Sequence, residues 1–264
     1  MKVTSRAHPF VRRCRALAER RDGDAVLLDG EHLVADALTA GVTLEGVLSD
    51  GRGRSVVARA RAAGVPILEA TREVVDAASP VREPSGVVAI GRWKPAALDT
   101  MLDGHAGDAA FLVIGLAGVQ DPGNVGTAIR SADALGAGGV VVMTGSADPG
   151  GWKTLRAAMG STFRVPIARA GNDAAMAAAR ASGLRVIAAT ASADRSLSDF
   201  DFTAPAFVLL GAEGGGLPPA LVRQADAAVR VPMRADVDSL NVGITASIIA
   251  YEARRQRDLR VRML

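Results

Sequence analysis

Three loops, the first two punctuated by glycine, carry the side chains best placed to do chemistry. The first, Gly115 to Gly126, ends in a helix signal: Asp121 suits an N-cap and Pro122 the first helical position, with Asn124 as the other candidate cap. Arg130 falls off the apolar stripe of Val125, Ala128, Ile129, Ala132 and Leu135, on the side of the small Gly126 and Thr127. An arginine held above small residues near a helix start suits an anion or a developing alkoxide; a solvated surface arginine is the other reading. The second loop, Gly211-Ala212-Glu213-Gly214-Gly215-Gly216-Leu217-Pro218, sets four glycines around one carboxylate. Glycine permits positive φ and lets a ligand touch bare main chain, so Glu213 is either displayed for use or simply exposed on a flexible turn. The third runs from Val231 to Asn241. Pro232 ends a strand, and Asp238 or Ser239 is expected to cap the last long helix. Ser239 and Asn241 are small hydrogen-bonding residues at that helix mouth, which plain capping would also explain. Leu240, Ile244, Ile248 and Tyr251 give the helix an apolar face.

The elements that must hold these loops alternate. In the front part, residues 5–21 place Val11, Cys14, Leu17 and Ala18 at helical spacing between arginines. Short strands are expected at Ala25–Leu28, Val47–Leu48, Val65–Leu68 and Val87–Ile90, with helices after Gly30 and over Val56–Ala63. This is a small α/β unit ending near Gly91. Residues 96–108 are polar and aperiodic, which suggests a linker between a domain at 1–95 and one at 109–264. Beyond it, strands Phe111–Ile114, Gly139–Met143, Arg185–Ala189, Ala206–Leu210 and Ala228–Val231 alternate with helices Asn124–Leu135, Trp152–Met159, Asp173–Ser182, Pro218–Gln224 and Leu240–Arg257. Strand and helix in turn mean crossovers and a mostly parallel sheet. Ligands in such sheets sit at the carboxyl ends of strands, where all three loops lie.

Composition bounds the partners. The chain has 264 residues, 49% of them hydrophobic, which is enough for real cores and suits two domains. The longest apolar run, Ala109 to Val119, is far short of the ~20 residues a spanning helix needs, and the start lacks a signal peptide's apolar region. Cys14 is the only cysteine, and His8, His32 and His105 are scattered, so neither a disulfide nor a metal site is expected, and the cytoplasm is the simplest location. Net charge is only +3, yet Met1 to Arg21 holds seven basic residues against Glu19 alone, and Glu252 to Leu264 five arginines against two acids. Basic ends suit a polyanion, with Arg6, Arg12, Arg13 and Arg15 as candidate nucleic-acid contacts, although 28 arginines against three lysines also fits a GC-rich genome. Only nine residues are aromatic, which argues against binding by base stacking.

Order and spacing of the three loops resemble the signature motifs of the SpoU (TrmH-like) RNA ribose 2′-O-methyltransferases of the SPOUT superfamily. The matching stretches are Asp121-Pro122-Gly123-Asn124-Val125-Gly126 through Arg130, Gly211 through Leu217, and Val231-Pro232-Met233 through Ser239-Leu240-Asn241-Val242. Leu28 through Val34 is similar, more loosely, to the L30e-like substrate-binding domain often attached to this family. The resemblance implies an α/β domain with a C-terminal trefoil knot, a homodimer and S-adenosylmethionine as methyl donor. It assigns Leu210, Gly211, Gly216, Val231, Met233 and Leu240 to the donor pocket, and Asn124, Arg130, Glu213, Ser239 and Asn241 to the reaction side. It further implies an RNA substrate, ribosomal RNA ahead of tRNA. Gly243 stands where the family often has serine and Val231 where isoleucine is common; Gly243 is expected to loosen the last helix slightly.

The alternatives lack residues. There is no P-loop, no Gly-x-Ser-x-Gly elbow, and no Gly-x-Gly-x-x-Gly around Gly118–Gly126 for a nicotinamide dinucleotide. A relative that binds RNA without catalysis need not keep Arg130, Glu213 and Asn241 together.

Overall fold

The run Ala25-Val26-Leu27-Leu28 is apolar without alternation, which a strand tolerates only when both faces are covered. A computed structural model, describing residues 2–103, 111–234 and 236–262, shows how this is achieved. The chain divides into two units: Met1–Lys94 with Gly150–Arg164, and Pro95–Pro149 with Val165–Leu264.

The first unit contains α1 (Pro9–Glu19), β1 (Ala25–Asp29), α2 (Glu31–Thr39), β2 (Thr43–Ser49), α3 (Arg54–Ala62), β3 (Ile67–Glu69), α4 (Arg72–Ala78) and β4 (Val87–Arg92). Its sheet has the order β1-β4-β2-β3, with β4 antiparallel to both neighbours and β2 parallel to β3. Val11, Cys14 and Leu17 of α1 join Val74 and Val75 of α4 in one core, while Leu33, Val34 and Ala37 of α2 join Val56 and Ala60 of α3 in another. Helix α4 escaped the sequence reading, although Val74, Val75 and Ala78 are buried at helical spacing.

In the second unit, α5 (Leu98–Asp103), β5 (Leu112–Leu116), α6 (Pro122–Ala134) and β6 (Gly139–Met143) come first. The chain then returns to the first unit for α7 (Trp152–Ala158). It finishes in the second with β7 (Ile167–Ala170), α8 (Asn172–Ala181), β8 (Arg185–Ala189), β9 (Ala206–Leu210), α9 (Pro219–Gln224), β10 (Ala227–Val229) and α10 (Val242–Arg262). Six strands form one wholly parallel sheet in the order β10-β8-β9-β5-β6-β7. From β5 the chain crosses to β6 and β7 on one side; β8 and β10 lie beyond β9 on the other. The carboxyl ends of β5 and β9 are therefore the switch point at which crossovers diverge.

Two expected boundaries change. Part of the 96–108 linker is helix α5, whose Met101 and Leu102 are buried in the second unit's core; residues 104–108, with His105, lie outside the described residues. The continuous 109–264 stretch is interrupted because Trp152 donates its indole N–H to Ala18 O at 3.0 Å and Leu155 is fully buried in the first unit's core. Periodicity predicts that helix but not which sheet it covers. Strand β7 was also unforeseen. No helix among the described residues is long and apolar enough to cross a membrane.

Candidate active site

Each loop is shaped by the element it leaves. Leu116 and Leu210 are opposite each other at the ends of β5 and β9, and Ala117 N–H donates to Leu210 O at 2.8 Å. Beyond them, Asp121 caps α6 as expected, its carboxylate accepting from Asn124 N–H at 2.9 Å with Pro122 in the first turn. The glycine loop closes on itself: Ala212 N–H donates to Gly216 O at 3.1 Å, and Gly216 N–H to Ala212 O at 2.9 Å. Gly214 and Gly216 have positive φ. A Cβ on Gly211 would lie 2.1 Å from the carbonyl carbon of Gly216 and 2.2 Å from Leu217 N, so only glycine fits. Glu213 sits exposed on this loop. The third segment leaves β10 and is tied to the loop after β8, Arg230 N–H donating to Arg195 O at 2.9 Å and Leu197 N–H to Arg230 O at 2.8 Å.

The loops meet in one hydrogen-bond chain. Asn241, rather than Asp238 or Ser239, caps α10: its Oδ1 accepts from Gly243 N–H at 2.9 Å and Ile244 N–H at 3.2 Å. With that oxygen committed to donors, Asn241 Nδ2 must donate, and it does so to Asn124 Oδ1 at 2.8 Å. Asn124 Nδ2 in turn donates to Glu213 Oε1. The backbone of α10 thus dictates the orientation of both amides and of the carboxylate. One carboxylate oxygen and one proton on each amide remain to meet a ligand.

Other expected residues are placed separately. Arg130 lies on α6 roughly 9 Å along the axis from Asn124. It is exposed and makes no hydrogen bond or ion pair among the described residues. Ser239 and Leu240 are exposed just ahead of α10, Val231 and Met233 are half-buried, and Leu210 is buried at the end of β9. In the first unit, Arg6, Arg12 and Arg15 are exposed, whereas Arg13 forms a two-pronged pair with Glu45.

Sequence reasoning missed how α6 and α10 fit. Thr127 and Ser131 on α6 face Gly243 and Ser247 on α10. A Cβ on Gly243 would be 2.9 Å from Cβ and Cγ2 of Thr127, and the two serine hydroxyls are 2.6 Å apart. Gly243 therefore permits a close helix approach rather than loosening the helix. Small residues four apart on both helices were the available signal. The expected apolar face is corrected too. Val242, Ala246, Ile249, Ala250 and Ala253 are buried, while Ile244 and Tyr251 stay 50% and 60% exposed.

Residues 111–251 match the profile of the SpoU rRNA Methylase family. An AdoMet-bound rRNA methyltransferase from Sinorhizobium meliloti is similar in structure, with a TM-score of 0.86 and 34% identity over 97% of both chains. The SpoU methyltransferase AviRb from Streptomyces viridochromogenes, in complex with AdoMet, has a TM-score of 0.84 and 29% identity over 95% of this chain and 98% of that one. The 23S rRNA (guanosine(2553)-2'-O)-methyltransferase RlmP of Bacillus subtilis is 30% identical over 237 residues, 89% of this chain and 91% of its own.

Proposed function

Because the chain belongs to the SpoU rRNA Methylase family, we propose that it transfers a methyl group from S-adenosylmethionine to a ribose 2′-hydroxyl of RNA, with ribosomal RNA as the substrate. The observation that carries this reading is the Glu213–Asn124–Asn241 chain at the switch point, built by all three loops. Bound at the glycine loop, the donor supplies an electrophilic methyl on a sulfonium. The main chain at Gly214, Gly215 and Gly216 is open to such a ligand, since a Cβ at any of them would have nothing within 4 Å. Leu210, Gly211, Val231, Met233 and Leu240 complete the donor side.

The chain's own work is to position and activate the hydroxyl. Holding two reactants in register is worth up to ~7–11 kcal/mol. Glu213, oriented through Asn124 and Asn241, aligns the ribose hydroxyl, and Ser239 adds a further hydrogen bond. A guanidinium, with a pKa of ~12.5–13.8, keeps its proton at pH 7. Arg130 therefore stabilises the alkoxide that forms as the hydroxyl proton passes to solvent water, and grips the adjacent phosphate; its freedom from other partners suits that role.

The finer architecture belongs to the same proposal. The C-terminal part is a trefoil knot, supported by the path of 230–241, from the edge strand past the 190–200 loop to a helix packed on α6. The protein works as a homodimer in the cytoplasm, the pairing supported by exposed Val237, Leu240, Ile244 and Tyr251. The first unit, L30e-like, holds RNA, with Arg6, Arg12 and Arg15 available to phosphates. A test is transfer of labelled methyl from S-adenosylmethionine to total RNA, with the modified species mapped. Arg130→Ala should abolish turnover and leave donor affinity nearly intact. Lost donor affinity with normal turnover at saturating donor would contradict its role, and methylation confined to tRNA would overturn the substrate assignment.

A further inference from the structure

The turn after β6 has no part in the chemistry above, yet it holds the first of the three loops. Strand β5 ends at Leu116 and α6 begins at Pro122, so residues 117–121 bend with neither a ladder nor a helix to fix them. Ala117 N–H reaches Leu210 O; among the described residues, the other hydrogen bonds to 117–119 come from Thr144–Ala147. Gly118 N–H donates to Thr144 O at 3.0 Å, Val119 N–H to Ser146 Oγ at 3.0 Å, and Ala147 N–H to Val119 O at 2.9 Å. Ser146 Oγ itself donates to Leu116 O at 2.8 Å. Gly145, at φ +81°, lets the two segments meet, since its Cβ would already lie 3.3 Å from Gly118 Cα.

Ser146 is the one side chain in this set, and its place is unusual. Leu116 O and Val119 N–H are three residues apart, the pair that closes an ordinary β-turn directly. Gly118, at φ +75°, stands where a type II turn requires positive φ. The Ser146 hydroxyl is inserted between the two groups and satisfies both, donating to one and accepting from the other. A wedge from another loop therefore holds the turn open. Two bonds meeting at one oxygen keep the carbonyl and the amide roughly 4–5 Å apart, against about 2.9–3.0 Å for a direct bond. Leu116 and Val119 are fully buried. Without the hydroxyl, a buried donor and acceptor are left unpaired, and they relieve this by closing on each other. Closure shifts Val119 by about 1 Å or more, and Asp121, the cap of α6, lies two residues further on.

We propose that Ser146 is a positioning residue for methyl transfer: by wedging the turn open, its hydroxyl sets where Asp121 presents Asn124 to Glu213 and Asn241. This rests on the methyltransferase reading above and deepens it. Asp121 accepts from Asn124 N–H, and Asn124 joins the other two members of the hydrogen-bond chain. Ser146 bonds to none of these residues, nor to the donor side of the second and third loops among the described residues. Its loss therefore falls on turnover rather than on donor binding.

The test uses full-length protein labelled with ¹⁵N at asparagine, of which the sequence has three, at 124, 172 and 241. Asn124→Asp identifies the Asn124 side-chain amide signal. Ser146→Ala should move that signal and leave the Asn172 signal in place. At saturating donor and ribosomal RNA, kcat should fall about 10- to 100-fold, as for a displacement near 1 Å. KM for RNA and calorimetric affinity for S-adenosylmethionine should not change. Ser146→Thr keeps the hydroxyl and should retain most of kcat and the wild-type Asn124 signal. The proposal is overturned if Ser146→Ala keeps wild-type kcat, or if kcat falls while Asn124 is unmoved. It is equally overturned if donor affinity falls in step with kcat, or if Ser146→Thr loses as much as Ser146→Ala. Should Ser146→Ala not fold, Ser146→Cys, whose S–H is a weaker donor, takes its place in each measurement. Wild-type protein that transfers no methyl to RNA removes the functional reading itself, whereas wild-type transfer that the Ser146 variants leave intact removes this inference alone.

Discussion

Gly243→Ala probes the geometry on which the site depends. The new Cβ would lie 2.9 Å from Cβ and Cγ2 of Thr127, and 3.2 Å from Asn241 Oδ1. Carbon atoms prefer about 3.5–4.0 Å, so the overlap is roughly 0.6–1 Å. Thr127 cannot easily yield, because its hydroxyl is bonded to Gly123 O at 2.8 Å and its Cβ is part of α6. The helices must move apart instead. Overpacking of this kind costs about 1–3 kcal/mol, offset by up to ~1 kcal/mol from alanine's better helix propensity. The melting temperature should fall by a few degrees, at about 2–4 °C per kcal/mol. Activity should suffer more. Asn241 caps α10 two residues earlier, and a displacement near 1 Å costs on the order of 100-fold in rate. Radiolabelled methyl transfer to ribosomal RNA at saturating donor should show kcat reduced about 10- to 100-fold. Gly171→Ala, where φ is −65° and nothing lies within 4 Å, should leave kcat unchanged. An unchanged melting temperature and kcat in Gly243→Ala would refute the argument that helix approach positions Asn241.

Other expectations follow from single sites. Gly211→Ala forces a methyl group onto main-chain atoms 2.1 and 2.2 Å away, so calorimetry should show donor affinity reduced at least about 100-fold, or about 2.7 kcal/mol. Cys14 is fully buried and its thiol pKa is pushed up to about 12, so a chromogenic disulfide should release no thiol from native protein at pH 8 and one equivalent after denaturation. Burial raises the Asp29 carboxyl above its ordinary value, against the opposing pull of Ser79 and Arg156. Ionised Asp29 therefore weighs against the fold above that raised value, and the penalty fades as pH falls through it toward the ordinary carboxyl range. Asp29→Asn should melt higher than wild type at pH 7, with the gap closing in acid; a constant gap would contradict the assignment. Asp50 and Glu252 behave oppositely, since bonds from Arg52 and Arg255 hold their carboxyls low and their contribution is lost as acid protonates them.

Much of the second unit was legible because its strands are short apolar runs bounded by glycine and proline, and its helices carry strong periods. Gly139–Met143, Arg185–Ala189 and Ala206–Leu210 are found with the expected ends. Strand β7 was not, since Ile-Ala-Arg-Ala carries only one large apolar residue. The cap of α10 was misplaced because Asp238, Ser239 and Asn241 are all good caps by type. Only the bonds to Gly243 and Ile244 distinguish Asn241.

By itself the order of residues determined which side chains matter and where their loops fall, because glycine, proline and capping residues act locally, within a turn or two. Tertiary structure alone decided three things. It joined Asn124, Asn241 and Glu213, which are up to 117 positions apart, into one hydrogen-bond chain. It sent α7 to the first unit. It turned Ile244 and Tyr251 outward and the small residues of α10 inward. Each depends on which surfaces meet, and hydrophobic periodicity shows that a face is apolar without saying what covers it.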